Sequence, residues 1–267
     1  MIKAIVTGAG GRMGGRIIDL IGSTEGIELA GAVESPGHPL VGRDAGERLG
    51  LGRIGVVVVD NLAHCIEGGE VIIDFTQPAA SLVHLEMAVE RGRALVIGST
   101  GFSASQRDRL RELAPGTRCV FSPNMSVGVN VMFQVLRMAA EIIGKDYDVE
   151  LMEIHHNLKK DAPSGTALKM AEIIADATDR DLARSAVYGR KGLTGERTKE
   201  EIGIQTLRAG DIVGEHQVMF AGQGERLEFI HRAHSRDNFA AGAIRAAKWL
   251  VGQPPGLYEM ADVLGFR

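Results

Sequence analysis

Two cysteines in 267 residues, Cys65 and Cys119, are too few and too far apart for a disulfide framework, and they form no CxxC pair. Both are read as reduced, buried thiols, and no metal site is expected. The chain also lacks an excess of basic residues. Its formal net charge is -4, so no global positive field draws it to nucleic acid or to anionic lipid, and any anion site must be built locally. No long apolar run is present. The longest such stretch, residues 127–144, is interrupted by Gln134, Arg137 and Glu141, a spacing that suits an amphipathic helix rather than a membrane span. The first apolar stretch is too short for a signal peptide and leads into glycines. No internal repeat or low-complexity tract is visible. A soluble, cytoplasmic protein follows as the expectation. Length and an ordinary 45% hydrophobic content allow one large or two medium domains with full cores.

What is there changes character along the chain. Short β-branched runs at residues 2–7, 27–33, 56–59, 71–74, 94–97 and 119–122 alternate with helical patterns at 13–21, 79–91 and 105–113. Several of the runs are apolar throughout, as in parallel strands covered on both faces. This predicts a doubly wound α/β sheet. After about Asn124 the order differs. A helix at 129–143, a strand at 149–155 and a helix at 166–177 precede three strand-like runs at 204–208, 215–221 and 226–234. Those runs follow one another across turns, which predicts a mixed or antiparallel sheet. Residues 178–201 are polar and charged, with Gly189, Gly192 and Gly195, and read as a mobile loop. A last helix spans 239–250, with Pro254 and Pro255 beyond it.

The loop Gly8, Ala9, Gly10, Gly11, Arg12, Met13, Gly14 leaves the first strand and opens a helix. Glycine permits a tight turn and close approach to a pyrophosphate, and a helix N-terminus offers unpaired N–H groups at the positive end of its dipole. The usual third glycine would fall where Met13 stands; here Gly14 comes one place later. Glu34 ends the second strand twenty residues beyond Gly14, where an acid accepts hydrogen bonds from an adenosine ribose. A plain turn with a surface acid is the alternative. Strand, glycines, helix, strand and acid in that order favour dinucleotide binding. Two more loops sit at carboxyl ends of strands, Gly98, Ser99, Thr100 and Ser122, Pro123, Asn124, Met125. Their position alone leaves open whether they contact a cofactor or are simple strand-to-helix turns.

The segment from Glu153 to Thr166 runs from a strand end to a helix start and holds His155, His156, Lys159 and Lys160. Neighbouring histidines on a strand face opposite ways, so one can face a cleft. Ser164 suits a helix N-cap, leaving the Gly165 and Thr166 amides as donors for a carboxylate. Cations beside helix-terminal amides make a local anion site, and His155 is the natural proton-transfer group near neutral pH. A metal site is disfavoured by the two lysines. A merely solvated basic loop stays open on this segment alone.

These motifs carry a resemblance. GAGGRMG at the start, DFTQP from Asp74, GSTGF from Gly98, SPNMSVGVN from Ser122, HHNLKKDAPSGTA from His155 and RAGDIVGEH from Arg208 resemble the motif series of the dihydrodipicolinate reductases. The resemblance covers nearly the whole chain, and the HHxxKxDAPSGTA segment is its most specific part. It implies an N-terminal Rossmann-like parallel-sheet domain, residues 1–126 and 239–267, and an α+β substrate and tetramerisation domain with a mixed sheet, residues 127–238. It implies reduction of a small cyclic dicarboxylate on the diaminopimelate route to lysine, by a homotetramer. It implies His155 as proton donor/acceptor and Lys159 as proton donor, with His156, Gly165 and Thr166 on substrate. It also implies cofactor contacts at residues 8–13, 98–100 and 122–125 and at Glu34. Some members carry arginine after the ribose-binding acid; here Ser35 stands there, so NADH is expected to be preferred and NADPH also accepted. Two rivals remain: another two-domain NAD(P) dehydrogenase of amino-acid metabolism, and a non-catalytic NAD(H)-sensing protein, although no helix-turn-helix extension or basic face is seen.

Overall fold

The structure, a computed structural model, describes residues 1–266 apart from the side chain of Arg48. Its elements are β1 (Ile2–Thr7), α1 (Arg12–Ser23), β2 (Ile27–Val33), β3 (Val58–Val59), β4 (Val71–Asp74), α2 (Pro78–Arg91), β5 (Ala94–Ile97), α3 (Ala104–Leu113), β6 (Arg118–Phe121), α4 (Val127–Ile143), β7 (Asp148–His155), α5 (Gly165–Ala177), α6 (Leu182–Ser185), β8 (Ala186–Val187), β9 (Ile202–Arg208), β10 (Gly214–Ala221), β11 (Arg226–Ala233), α7 (Asp237–Leu250), β12 (Gly256–Tyr258) and α8 (Met260–Val263). They form two compact units. One holds residues 1–127 and the segment from Arg236 onward; the other holds residues 128–235.

The first unit is a seven-stranded sheet in the order β12-β6-β5-β4-β1-β2-β3. Its pairings are all parallel. β4 and β5 are buried at every residue, which explains their unbroken apolar sequence. Alternate residues serve opposite faces. Val71 and Ile73 join a cluster with Ile17 and Ile21 of α1 and the alanines of α7. Ile72 joins Leu85 of α2 and Leu110 of α3 in the other cluster. Each such buried aliphatic side chain contributes roughly 1.5–3 kcal/mol. β1 lies between β2 and β4, so the winding direction reverses there. In open α/β sheets the crevice at the strands' carboxyl ends at this point is where ligands bind.

In the second unit the sheet order is β11-β10-β7-β9-β8. β10 runs antiparallel to β11 and β7, while β9 is parallel to β7 and β8. The sheet is mixed, as the succession of strands predicted. One face packs on α4 and α5 through Phe133, Leu136, Met170 and Ile174.

Two expectations need correction, the loop at 178–201 and the burial of Cys65. Residues 178–201 are not all loop: they contain α6 and β8, and Arg190 and Arg197 tie part of the remainder to β7. Arg190 bonds both carboxylate oxygens of Glu150 at 2.9 and 3.1 Å and also reaches Glu201 at 2.8 Å. Arg197 bonds Asp148 at 2.8 Å and the carbonyls of Val149 and Glu201 at 3.0 and 2.7 Å. A polar composition hides such order, because the acids that create it lie elsewhere in sequence. The chain past Leu250 also adds structure, since β12 pairs beside β6 from Gly256 to Tyr258. Both thiols are free, with Cys119 buried and Cys65 only partly so. Burial pushes Cys119 up to about 12 and Cys65 up to about 11, so neither is a nucleophile at neutral pH.

Candidate functional site

At the reversal point of the parallel sheet lies a cleft of about 650 Å³, with Gly8 and Gly11 after β1, Glu34 and Ser35 after β2, and Phe75, Thr76 and His84 after β4. Gly8 has a φ of +71°, a left-handed conformation that favours glycine. A Cβ on Gly14 would lie 2.0 Å from the Gly8 carbonyl oxygen. The close approach of helix to loop that normally falls to the third glycine is therefore made at Gly14, which resolves the one-residue offset in the motif. A Cβ on Gly10 would come 2.9 Å from Glu34 Oε2 and 2.6 Å from the His38 ring. α1 starts on Gly11 with no capping side chain and no acid in its first turn, so nothing of its own competes for an anion there.

Glu34 is held in place by two backbone amides. The Gly10 amide donates to its Oε2 at 2.7 Å, and the Ser35 amide to Oε1 at 2.7 Å. Burial alone would raise this carboxyl, but the Ser35 and Gly10 bonds hold it below the usual range. Arg12 is exposed at the first residue of α1, while Ala9 is buried and Met13 half-buried. The loops after β5 and β6 lie on the same carboxyl edge as those after β1 and β4. Their side chains are partly committed elsewhere. Met125 sits in the core, and Ser122 Oγ donates to the Asn124 carbonyl at 3.0 Å. Gly98 has the Phe75 ring 2.2 Å from where a Cβ would stand. Thr100 and Pro123 are exposed. Ser99 and Met125 can thus meet a ligand only through their backbones.

Sequence reading missed a buried polar cluster behind the cleft. Asp74, fully buried, accepts from Thr76 Oγ1 at 2.6 Å, Ser81 Oγ at 3.1 Å and Ser99 Oγ at 3.2 Å, and lies 2.5 Å from His84 Nδ1. Burial alone would raise Asp74, but the bonds from His84 and Thr76 keep it low. An ionised carboxylate only accepts, so His84 Nδ1 carries the proton. The cluster ties the ends of β4 and β5 to α2. The DFT run holds the acid and Thr76, but the other partners come from two separate stretches, α2 and the loop after β5.

The second unit carries the other predicted residues. β7 turns Val149, Leu151 and Glu153 inward, and His155 ends the strand on the same side. Glu153 is fully buried. It accepts from His155 Nδ1, from Arg208 Nη1 and Nη2 at 3.0 and 2.9 Å, and from the Ser164 amide at 3.1 Å. Burial alone would raise it, but His155 and Arg208 hold it down to about 2. Ser164 caps α5 as predicted, its Oγ accepting from the Ala167 amide at 3.1 Å, so Gly165 and Thr166 supply the first amides of the helix. Lys159 Nζ donates to both oxygens of Asp161 at 2.9 Å. Lys160 is exposed. His156 follows β7 directly, and its carbonyl accepts from the Lys159 amide at 3.1 Å.

Two family models match the chain: dihydrodipicolinate reductase, N-terminus, over residues 2–125, and dihydrodipicolinate reductase, C-terminus, over residues 128–264. The chain belongs to the dihydrodipicolinate reductase family. It is an NAD(P)H-dependent oxidoreductase. The 4-hydroxy-tetrahydrodipicolinate reductase of Syntrophus aciditrophicus (strain SB) is 63% identical over 267 residues, the full length of both chains. That of Geotalea uraniireducens (strain Rf4) is 55% identical over the same extent. A solved structure of dipicolinate-bound dihydrodipicolinate reductase from Paenisporosarcina sp. TG-14 is 25% identical, covers 98% of each chain and superposes with a TM-score of 0.76. The full-length match sets aside the rival dehydrogenase and the sensing protein.

The reductase also explains its last motif, RAGDIVGEH. Arg208 grips Glu153, the Gly210 carbonyl accepts from the Asn157 amide at 3.1 Å, and His216 Nε2 lies 3.1 Å from Ser164 Oγ. A Cβ on Gly214 would come 2.9 Å from His155 Nε2. β9 and β10 flank β7, so this motif forms the other wall of the His155 cluster. Burial, with His155 beside it, pushes His216 down to about 3.

These shifts fix an acid response. His216 is neutral in the fold and ordinarily titrates near 6.5, so its stabilising contribution is complete above 6.5 and declines as pH falls toward about 3. Glu153 falls from an ordinary 4.5 to about 2, so its contribution is complete above 4.5 and declines as pH falls toward about 2. Stability against urea should therefore drop below pH 6.5 and more steeply below 4.5. His216→Asn should flatten the upper part of that slope. Equal slopes for variant and parent would contradict it. Among the described residues no helix is long and apolar enough to cross a membrane, and no three His, Cys, Asp or Glu side chains gather as a metal site.

Proposed function

We propose that this protein reduces 4-hydroxy-tetrahydrodipicolinate to tetrahydrodipicolinate in the diaminopimelate route to lysine, with NADH preferred and NADPH accepted. The match of both family models along the chain carries this reading. The glycine loop fits a dinucleotide: Gly8 takes the left-handed turn after β1, and the start of α1 at Gly11 carries no capping side chain and no first-turn acid, which suits a pyrophosphate. Bound there, the nicotinamide supplies a hydride. In this reading residues 8–13 hold the pyrophosphate, Glu34 accepts from the adenosine ribose, and the loops 98–100 and 122–125 support the nicotinamide half.

In the second unit the Gly165 and Thr166 amides and His156 bind a substrate carboxylate. Reduction to tetrahydrodipicolinate adds a hydride and a proton and releases the 4-hydroxyl as water, so the protein must deliver one proton. His155 and Lys159 are the groups for that transfer, and the Asp161 contact aims the ammonium. Homotetramer formation belongs to the same reading. The face of the mixed sheet away from α4 and α5 exposes Leu207 and Ile230, at 42% and 44%, an apolar surface that assembly would cover. A cytoplasmic location completes it.

The test follows absorbance as NADH is oxidised with freshly generated substrate. Absence of oxidation overturns the reading. Run with NADPH at equal ionic strength, the assay also measures preference. A 2′-phosphate beside Glu34 loses a charged hydrogen bond, worth about 1.5–3 kcal/mol, or roughly 10–150-fold. His38, which packs against Gly10 and Glu34, softens this. NADH is expected to win by several-fold to tens-fold in kcat/KM. A clear NADPH preference would mean that His38 and Arg43 outweigh Glu34.

A further inference from the structure

We infer that Glu153 is a positioning residue for the reaction, fixing the His155 ring so that proton transfer runs through Nε2 and locking that ring to the start of α5. This rests on the reading that His155 moves a proton. The argument begins with what a buried carboxylate can do. It has two oxygens and only accepts. Every group facing Glu153 is a donor: the Arg208 guanidinium, the Ser164 amide and His155 Nδ1. Nδ1 must therefore carry its hydrogen, and Nε2 of the neutral ring is left as the acceptor. On the Nε2 side stands Gly214, where a Cβ would intrude to 2.9 Å. A side chain at 214 would crowd that nitrogen, and glycine there avoids it.

The same carboxylate sets two other parts. Its Oε1 holds the Ser164 amide, and Ser164 caps α5, so the first amides of that helix are indexed to the His155 ring. Arg208, which grips Glu153, also donates to the Asp161 carbonyl at 2.6 Å, and the Asp161 side chain holds Lys159. Glutamine at 153 has one acceptor oxygen and an NH₂ group, so it would turn a donor toward a donor. Aspartate keeps both acceptors but sets them one methylene back.

The experiment uses the full chain with ¹⁵N-labelled histidine, assigning His155 by its loss in His155→Gln. In the parent, neutral His155 should carry its proton on Nδ1; a proton on Nε2 overturns the inference and needs no variant that folds. Glu153→Gln should lose on the order of 10²–10⁴ in kcat per folded molecule, as when the carboxylate orienting a catalytic histidine is removed. The KM for NADH should not change, and Glu153→Asp should recover part of the loss. A purely structural Glu153 would instead lower the unfolding temperature with kcat intact, which overturns the inference. His155→Gln separates the two levels. If it turns over normally, the role of His155 falls and the inference with it. If it is inactive while folded Glu153→Gln is not, only the inference falls.

Discussion

Replacing Lys159 by alanine should remove most turnover while NADH still binds. The ammonium sits in the second unit, bonded to both oxygens of Asp161 at 2.9 Å, with its side chain only 19% exposed. Losing one preorganised donor from a site of developing charge costs about 2.7–4 kcal/mol, or roughly 10²–10³ in kcat. The stability cost should be small, because Asp161 is 63% exposed and such pairs are worth about 0–1 kcal/mol. Lys160 provides the control. It is exposed, so Lys160→Ala should leave kcat nearly unchanged. NADH affinity by fluorescence, kcat and the unfolding midpoint separate these effects. Near-normal turnover in Lys159→Ala ends its assignment.

Much of this was legible because the signals are local. The apolar runs of β4 and β5 announced a parallel sheet covered on both faces, and the glycines after β1 announced a tight turn into a helix. Ser164 was readable as a cap because its Oγ reaches an amide only three residues on. The α/β class with a second, mixed-sheet unit follows from such features alone. The comparisons with relatives then establish the reductase family, which local spacing left among rivals.

What stayed hidden depends on partners distant in sequence. The role of Gly14 emerges only when the Gly8 carbonyl is seen 2.0 Å from its missing Cβ. Glu153 carries no local signal beyond its place near a strand end. Its value lies in Arg208 and Ser164, which the register of β7 with β9 and the start of α5 bring to it. Asp74 needed Ser81 and Ser99. Arg190 and Arg197 order a segment whose composition suggested none, because Asp148 and Glu150 lie on another strand. One sign was available: RAGDIVGEH mixes a cation, glycines and a histidine at a strand-to-strand turn, a composition that sheet packing alone does not require.

His155→Gln is the other large effect. Glutamine keeps a polar group beside Glu153 and can donate to it, so Arg208 and the Ser164 amide retain their acceptor. Alanine would remove that partner and confuse a folding loss with a catalytic one. The variant should therefore fold, and it should bind NADH as the parent does, since the proposed dinucleotide cleft lies in the other unit. Turnover should fall by roughly 10²–10⁴, the usual contribution of a positioned acid–base group. The residual rate should also lose whatever pH dependence the imidazole imposed on kcat, because glutamine does not titrate. Two measurements decide it: kcat against pH, and the folded fraction from circular dichroism. If the variant unfolds while turnover per folded molecule is intact, His155 is a structural histidine that ends β7, and the proton must come from Lys159 or from water.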